Sequence, residues 1–149
     1  MPGACTSLND GELYCRNTCI QLRLFPRTEV YRSSLCGYAL RVIEDVEPNT
    51  IIAEYLGEVI TSAECGKRMR EYTESDDFYF AALGSGLMLD AQPMGSIARF
   101  ANHSCWPNCE LQKWTVLGEP RLVIVSSRCV HGQLYSPSSP FFTQLSSVV

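Results

Sequence analysis

Every apolar stretch between Gly37 and Val125 is short, and each one is stopped by turn chemistry. Residues 38–42, 51–60, 78–83, 87–90, 111–116 and 121–125 read as strands, the second being the longest and rich in β-branched residues. Asp45 to Asn49 turns around Pro48, Gly84-Ser85-Gly86 closes one hairpin, and Leu117-Gly118-Glu119-Pro120 closes another. One helix is expected to about Tyr72, opened by a Thr61-Ser62-Ala63-Glu64 capping box with Glu64 reaching back to Thr61. Its Lys67, Arg68 and Arg70 are placed in solvent, and residues 97–100 form one further helical turn. The chain is therefore expected to be mainly β with short helices, of α+β class and without internal repeats.

The helical turn leads into Arg99-Phe100-Ala101-Asn102-His103-Ser104-Cys105-Trp106-Pro107-Asn108-Cys109, which concentrates amide, imidazole, hydroxyl and thiol groups between apolar runs. Side chains that compete with the backbone for hydrogen bonds suit neither a helix interior nor a strand interior, so this segment reads as a loop that holds something. His103 and Cys105 stand two apart in that loop, a spacing that gives no reason to expect them to face each other as a catalytic pair. Glu54 and Glu58 share a face of one expected strand and read as structural.

The same segment resembles the RF(I/A)NHSCxPN signature of SET-domain protein lysine methyltransferases. Gly37-Tyr38-Ala39-Leu40-Arg41 resembles that family's first cofactor strand, and Glu54-Tyr55-Leu56-Gly57-Glu58-Val59-Ile60 resembles its EYxGEVI strand. The resemblance implies a SET β-fold of small curled sheets around a cofactor cleft, over residues 37–128. It implies S-adenosylmethionine as cofactor, held by Gly37, Tyr38, Ala39, Leu40, Tyr55, Arg99, Phe100, Asn102 and His103, with alanine at 39 where many relatives have glycine. Tyr79 matches the family's channel tyrosine. Such a channel has a physical purpose, because a free lysine has a pKa of roughly 10.4 and must lose its proton and its water before it can attack. The implied substrate is a histone tail or nucleosome, in the nucleus and on the chromosome. Residues 94–99 and 110–114 look most like the AWS-bearing subgroup, which includes the histone H3 lysine-36 enzymes.

The resemblance fades at both ends. Residues 1–36 resemble a partial AWS segment, with Cys15-Arg16-Asn17-Thr18-Cys19 similar to its zinc-binding end. Cys5, Cys15 and Cys19 are metal candidates, and Cys105 is a fourth because its family position often joins three later cysteines. Only Cys129 follows Cys109, so the zinc ligand set is incomplete. The remainder of 1–36 is read as an extended lead-in, with Pro26, Arg27, Ser33 and Ser34 forming a connection. Residues 129–149 contain no Asp, Glu, Lys or Arg and are read as a disordered, non-family tail lacking the family's ELTYDY segment. Tyr135 is the candidate substitute for that segment's tyrosine, and the C-terminal part of the fold is expected to be incomplete, with activity weakened or lost. The alternatives are a non-catalytic SET-like binding module and a zinc-organised interaction domain.

Composition narrows the classes further. A chain of 149 residues can bury one real core, about 70% of its unfolded surface. A net charge of −4 is unlike a protein that grips nucleic acid by its phosphates, so no direct sequence-specific nucleic-acid binding is expected. No apolar run reaches the roughly 20 residues of a membrane-spanning helix, and membrane association is not expected. The N-terminus has neither a basic start nor an apolar core, which points to a reducing compartment with free or metal-bound thiols.

Overall fold

The computed structural model describes residues 6–7, 13–33, 37–73, 78–130 and 144–145. The strands are β1 (Thr6–Ser7), β2 (Leu13–Tyr14), β3 (Thr28–Ser33), β4 (Gly37–Val42), β5 (Ile51–Tyr55), β6 (Glu58–Thr61), β7 (Phe80–Gly84), β8 (Leu87–Asp90), β9 (Asn102–His103), β10 (Cys109–Val116), β11 (Glu119–Ser126) and β12 (Gln144–Leu145). Two helices, α1 (Arg16–Leu22) and α2 (Ser62–Glu71), and a 3-10 turn at Ile97–Phe100 complete the described elements. They form a five-stranded sheet in the order β5-β11-β10-β12-β9, a three-stranded sheet β6-β8-β7, and the antiparallel pairs β3-β4 and β1-β2. Small sheets in a mainly β chain with short helices are what was expected, but α1 is a helix beyond the one foreseen. Among the described residues no helix is long and apolar enough to cross a membrane.

The five-stranded sheet has a core on each face. Along β11 the side chains alternate, Leu122 and Ile124 entering the larger core, Val123 and Val125 entering a smaller one with Ile20, Ile51 and Val116. Ile20 comes from α1, so residues 16–22 of the expected extended lead-in are helical and cover the back of the sheet. The helix closes through Arg23 in the left-handed region, with Leu24 N–H donating to Cys19 O at 2.9 Å. Residues 28–33, which include Ser33 of the expected connection, form a strand paired with β4 from Thr28–Val42 to Ser33–Gly37.

The expected single strand over 51–60 is two. β5 pairs with β11, and β6 pairs with β8 in the other sheet, so the chain changes sheets at Leu56-Gly57. A side chain at Gly57 has no room, since a Cβ there would lie 2.7 Å from the Asp90 carbonyl oxygen. Glu54 and Glu58 therefore lie in different sheets, Glu54 paired with Arg121 at 2.8 Å and Glu58 with Arg68 at 2.7 Å.

Half of the capping box forms. Thr61 accepts from Glu64 N–H at 3.1 Å, but the Glu64 carboxylate turns to Lys67 and Arg68. Arg68 is not solvated as expected. Its guanidinium lies between Glu58 and the buried Asp90, 2.7 Å from each, which fixes α2 to the three-stranded sheet. Both expected hairpins are present, the second with a tighter turn: Leu117 and Gly118 both have positive φ, as a two-residue type I′ turn requires. Glu119 and Pro120 continue the strand, Pro120 lying beyond the stretch of β11 that β5 pairs.

The tail is not wholly apart from the fold. Val130 is buried and bridges Val46, and β12 inserts between β9 and β10. Residues 131–143 and 146–149 of the expected disordered segment, Tyr135 included, lie outside the described residues.

Candidate cofactor cleft

The 3-10 turn is capped by Ser96, whose hydroxyl accepts from Ala98 N–H and donates to Glu54 O at 2.7 Å. This anchors the turn to β5; Ala98 enters the main core, Phe100 packs against it, and Arg99 is half-buried. Arg99 donates to the carbonyls of Ala91 and Gln92 at 3.0 and 3.3 Å, while its guanidinium lies 4.9 Å from the Phe100 ring centre and 5.3 Å from that of Tyr79. Tyr38 meets Phe100 with ring centres 5.8 Å apart. The result is a wall of rings interleaved with one cation, a stacking geometry that both ring edges and guanidinium favour.

These side chains border a cleft of about 290 Å³ lined by Gly37, Tyr38, Tyr55, Phe78, Tyr79, Arg99, Phe100, Ala101, Asn102 and His103. Eight sequence candidates from four separate segments thus share one cavity. Ala39 and Leu40 do not line it; both are fully buried, on opposite faces of β4, Leu40 within the main core. Phe78 and Ala101 were not among the candidates. Phe78 adjoins Tyr79 and shares its aromatic character, which is the signal that marks it; Ala101 carries no such signal.

Asn102 does not point its amide freely into the cleft. Its Nδ2 donates to Tyr38 O at 3.1 Å and to Phe100 O at 3.3 Å, tying two walls together. Tyr55 is buried beneath, and its hydroxyl donates to Tyr79 O at 3.1 Å, a carbonyl that also accepts from Ala91 N–H at 3.0 Å. Burial first, then the neighbouring Tyr79, push the Tyr55 phenol up to about 12, so it remains a donor at any physiological pH. Burial likewise pushes the Cys109 thiol up to about 12, which makes it core rather than nucleophile.

These two groups give a pH test of the main core, to which Tyr55 and Cys109 both belong. The unfolded chain releases the corresponding protons near 9 and 10, the folded chain near 12, so their stabilising contribution is complete below pH 9 and is lost as pH rises toward 12. Each tenfold difference in proton affinity corresponds to about 1.4 kcal/mol. The melting temperature is expected to fall across that alkaline window, and Tyr55→Phe to flatten the fall. An identical alkaline slope in the variant would count against the burial of that phenol.

The described metal candidates, Cys15, Cys19 and Cys105, do not converge. Among the described residues no three His, Cys, Asp or Glu groups assemble where a metal ion could be held. Cys15 is exposed at the start of α1, Cys19 is buried a turn later, and Cys5 lies outside the described residues. Cys105 is exposed with its Sγ 4.0 Å from His103 Nε2, so the two side chains do face each other, contrary to the expectation from their spacing.

Residues 37–132 match the family described as SET domain. The chain belongs to the SET-domain family. The match runs past Arg128 into the segment expected to lie outside it. This SET domain is 41% identical over 110 residues to "Histone-lysine N-methyltransferase, H3 lysine-36 specific" of Homo sapiens, covering 72% of this chain and 4% of that protein. It is 38% identical over 128 residues to "Histone-lysine N-methyltransferase SETD2" of Mus musculus, covering 85% of this chain and 5% of that protein. Against "Histone-lysine N-methyltransferase NSD3" of Mus musculus, identity is 39% over 110 residues, 72% of this chain and 8% of the relative. The chain thus spans a small fraction of the length of these relatives.

Proposed function

We propose that this SET domain transfers a methyl group from S-adenosylmethionine to the side-chain amine of a histone lysine, in the nucleus and on chromatin. The observation that carries the reading is the convergence of Gly37, Tyr38, Tyr79, Arg99, Phe100, Asn102 and His103 on one ring-walled cleft. The donor set fits the cofactor, since aromatic faces suit a sulfonium cation and the Asn102–His103 edge supplies polar groups for its ends. When bound, S-adenosylmethionine supplies an electrophilic methyl group. The protein's own share is to orient and to exclude water: the rings of Tyr38, Phe78, Tyr79 and Phe100 surround the space where a neutral lysine amine would approach. The names of the relatives favour lysine-36 of histone H3 as the target.

The test is transfer of a labelled methyl group to nucleosomes and to histone H3, followed by mapping of the modified lysine. Weak transfer is expected of a chain that lacks the ELTYDY tyrosine, and Tyr79→Ala is expected to lower kcat by roughly a further 100-fold through misplacement of the amine. Tyr135→Phe run alongside decides whether that tyrosine takes part. Tight binding of S-adenosylhomocysteine without transfer to any histone would replace this reading with that of a non-catalytic binding module.

A further inference from the structure

We infer that Gln144 and Leu145, beyond the residues that match the family, form the strand that fixes Asn102 and His103 in the cleft. β12 runs parallel to β9, Gln144 opposite Asn102 and Leu145 opposite His103, and parallel to β10, Leu145 opposite Cys109. Among the described residues β9 has no other strand neighbour. Two residues of strand cannot hold their own geometry, because an isolated pairing that short has too few ladder bonds to offset the entropy of ordering it. β10 can hold it. Cys109 begins a ladder of eight paired positions with β11, which is in turn laddered to β5. β12 therefore carries the rigidity of the central sheet across to the rim of the cleft.

The connection continues through Asn102. Its backbone is set by Gln144, and its side chain is committed to the carbonyls of Tyr38 and Phe100. A shift of β12 would move Asn102 and with it the two aromatic residues that face each other across 5.8 Å. Gln144 and Leu145 are thus positioning residues. Their role belongs to the backbone, which explains how a stretch outside the family match can perform it.

The effect on cofactor binding rests on the proposed function; the strand itself does not, and the experiment separates them. Hydrogen exchange of the full chain without ligand is expected to show slow exchange in the peptide containing 144–145 and in that containing 102–109. In the pair variant Gln144→Pro/Leu145→Pro, which removes both amide donors, exchange over 102–109 is expected to rise at least tenfold while β6 and β8 keep their protection. The affinity for S-adenosylhomocysteine is expected to fall by roughly tenfold or more, and Gln144→Ala/Leu145→Ala, which keeps the backbone donors, to restore it. Fast exchange at 144–145 in the full chain overturns the inference, whether or not the proline pair folds. So does unchanged affinity and exchange in a folded proline pair. A protected strand in a chain that binds no S-adenosylhomocysteine would instead overturn the proposed function and leave the strand assignment in place.

Discussion

Gly57→Ala is expected to destabilise the protein by about 2–3 kcal/mol and to weaken cofactor binding at the same time. The added methyl group would lie 2.7 Å from the carbonyl oxygen of Asp90 and 2.8 Å from its carbonyl carbon. Backbone atoms cannot rotate aside as a side chain can, so β8 must shift. Asp90 is buried, pairs with Arg68 at 2.7 Å and accepts from Gln92 N–H at 2.9 Å, which leaves it little freedom to move. The next residue, Ala91, donates to the Tyr79 carbonyl and accepts from Arg99, so displacement there reaches the cleft directly. Chemical denaturation and calorimetric titration with S-adenosylhomocysteine check the two effects. A variant as stable as the parent would show that the joint between the sheets is looser than its contacts imply.

The second large effect is functional. Asn102→Ala is expected to lower affinity for S-adenosylhomocysteine by roughly 10- to 100-fold, the range of one or two charge-neutral hydrogen bonds lost at a desolvated site. The loss is indirect as well as direct, because the amide that disappears is the one bonded to Tyr38 O and Phe100 O. Asn102→Asp separates the contributions: it keeps the shape but presents an acceptor to two carbonyl oxygens. If affinity depended only on direct contact with the cofactor, the aspartate could preserve part of it; if the tie between the walls matters, it should be no better than alanine. Full affinity in both variants would remove Asn102 from the site.

What could be read from the residues followed the range of the interaction that decides each feature. Turns were legible because their chemistry is local: Leu117-Gly118, Gly84-Ser85-Gly86 and the Thr61 cap all lie where they were expected. The break at Leu56-Gly57 was not, since the apolar run continues through it and only Asp90, on another strand, dictates it. α1 escaped notice because its N-cap Cys15 makes no side-chain cap and its ends carry neither the acidic nor the basic residues that signal a helix. Arg68 looked solvated within a run of charges, its buried partner being visible only after β8 is folded against α2. In the site, the motif residues with polar or aromatic side chains come together, whereas Ala39 and Leu40 belong to the same motif but are fully buried on β4.

The two-sided packing of the central sheet bears on how this protein can be divided. A recombinant fragment begun at Gly37, where the family match begins, would lose Ile20, Phe25 and the pairing partner of β4. Val116, Val123 and Val125, together with Ile51, would then form an uncovered β-branched surface on a sheet, the kind of surface on which chains adhere to one another. Solubility of the folded domain is thus set by the helix that precedes its recognisable part, and a soluble fragment would have to start no later than Cys15.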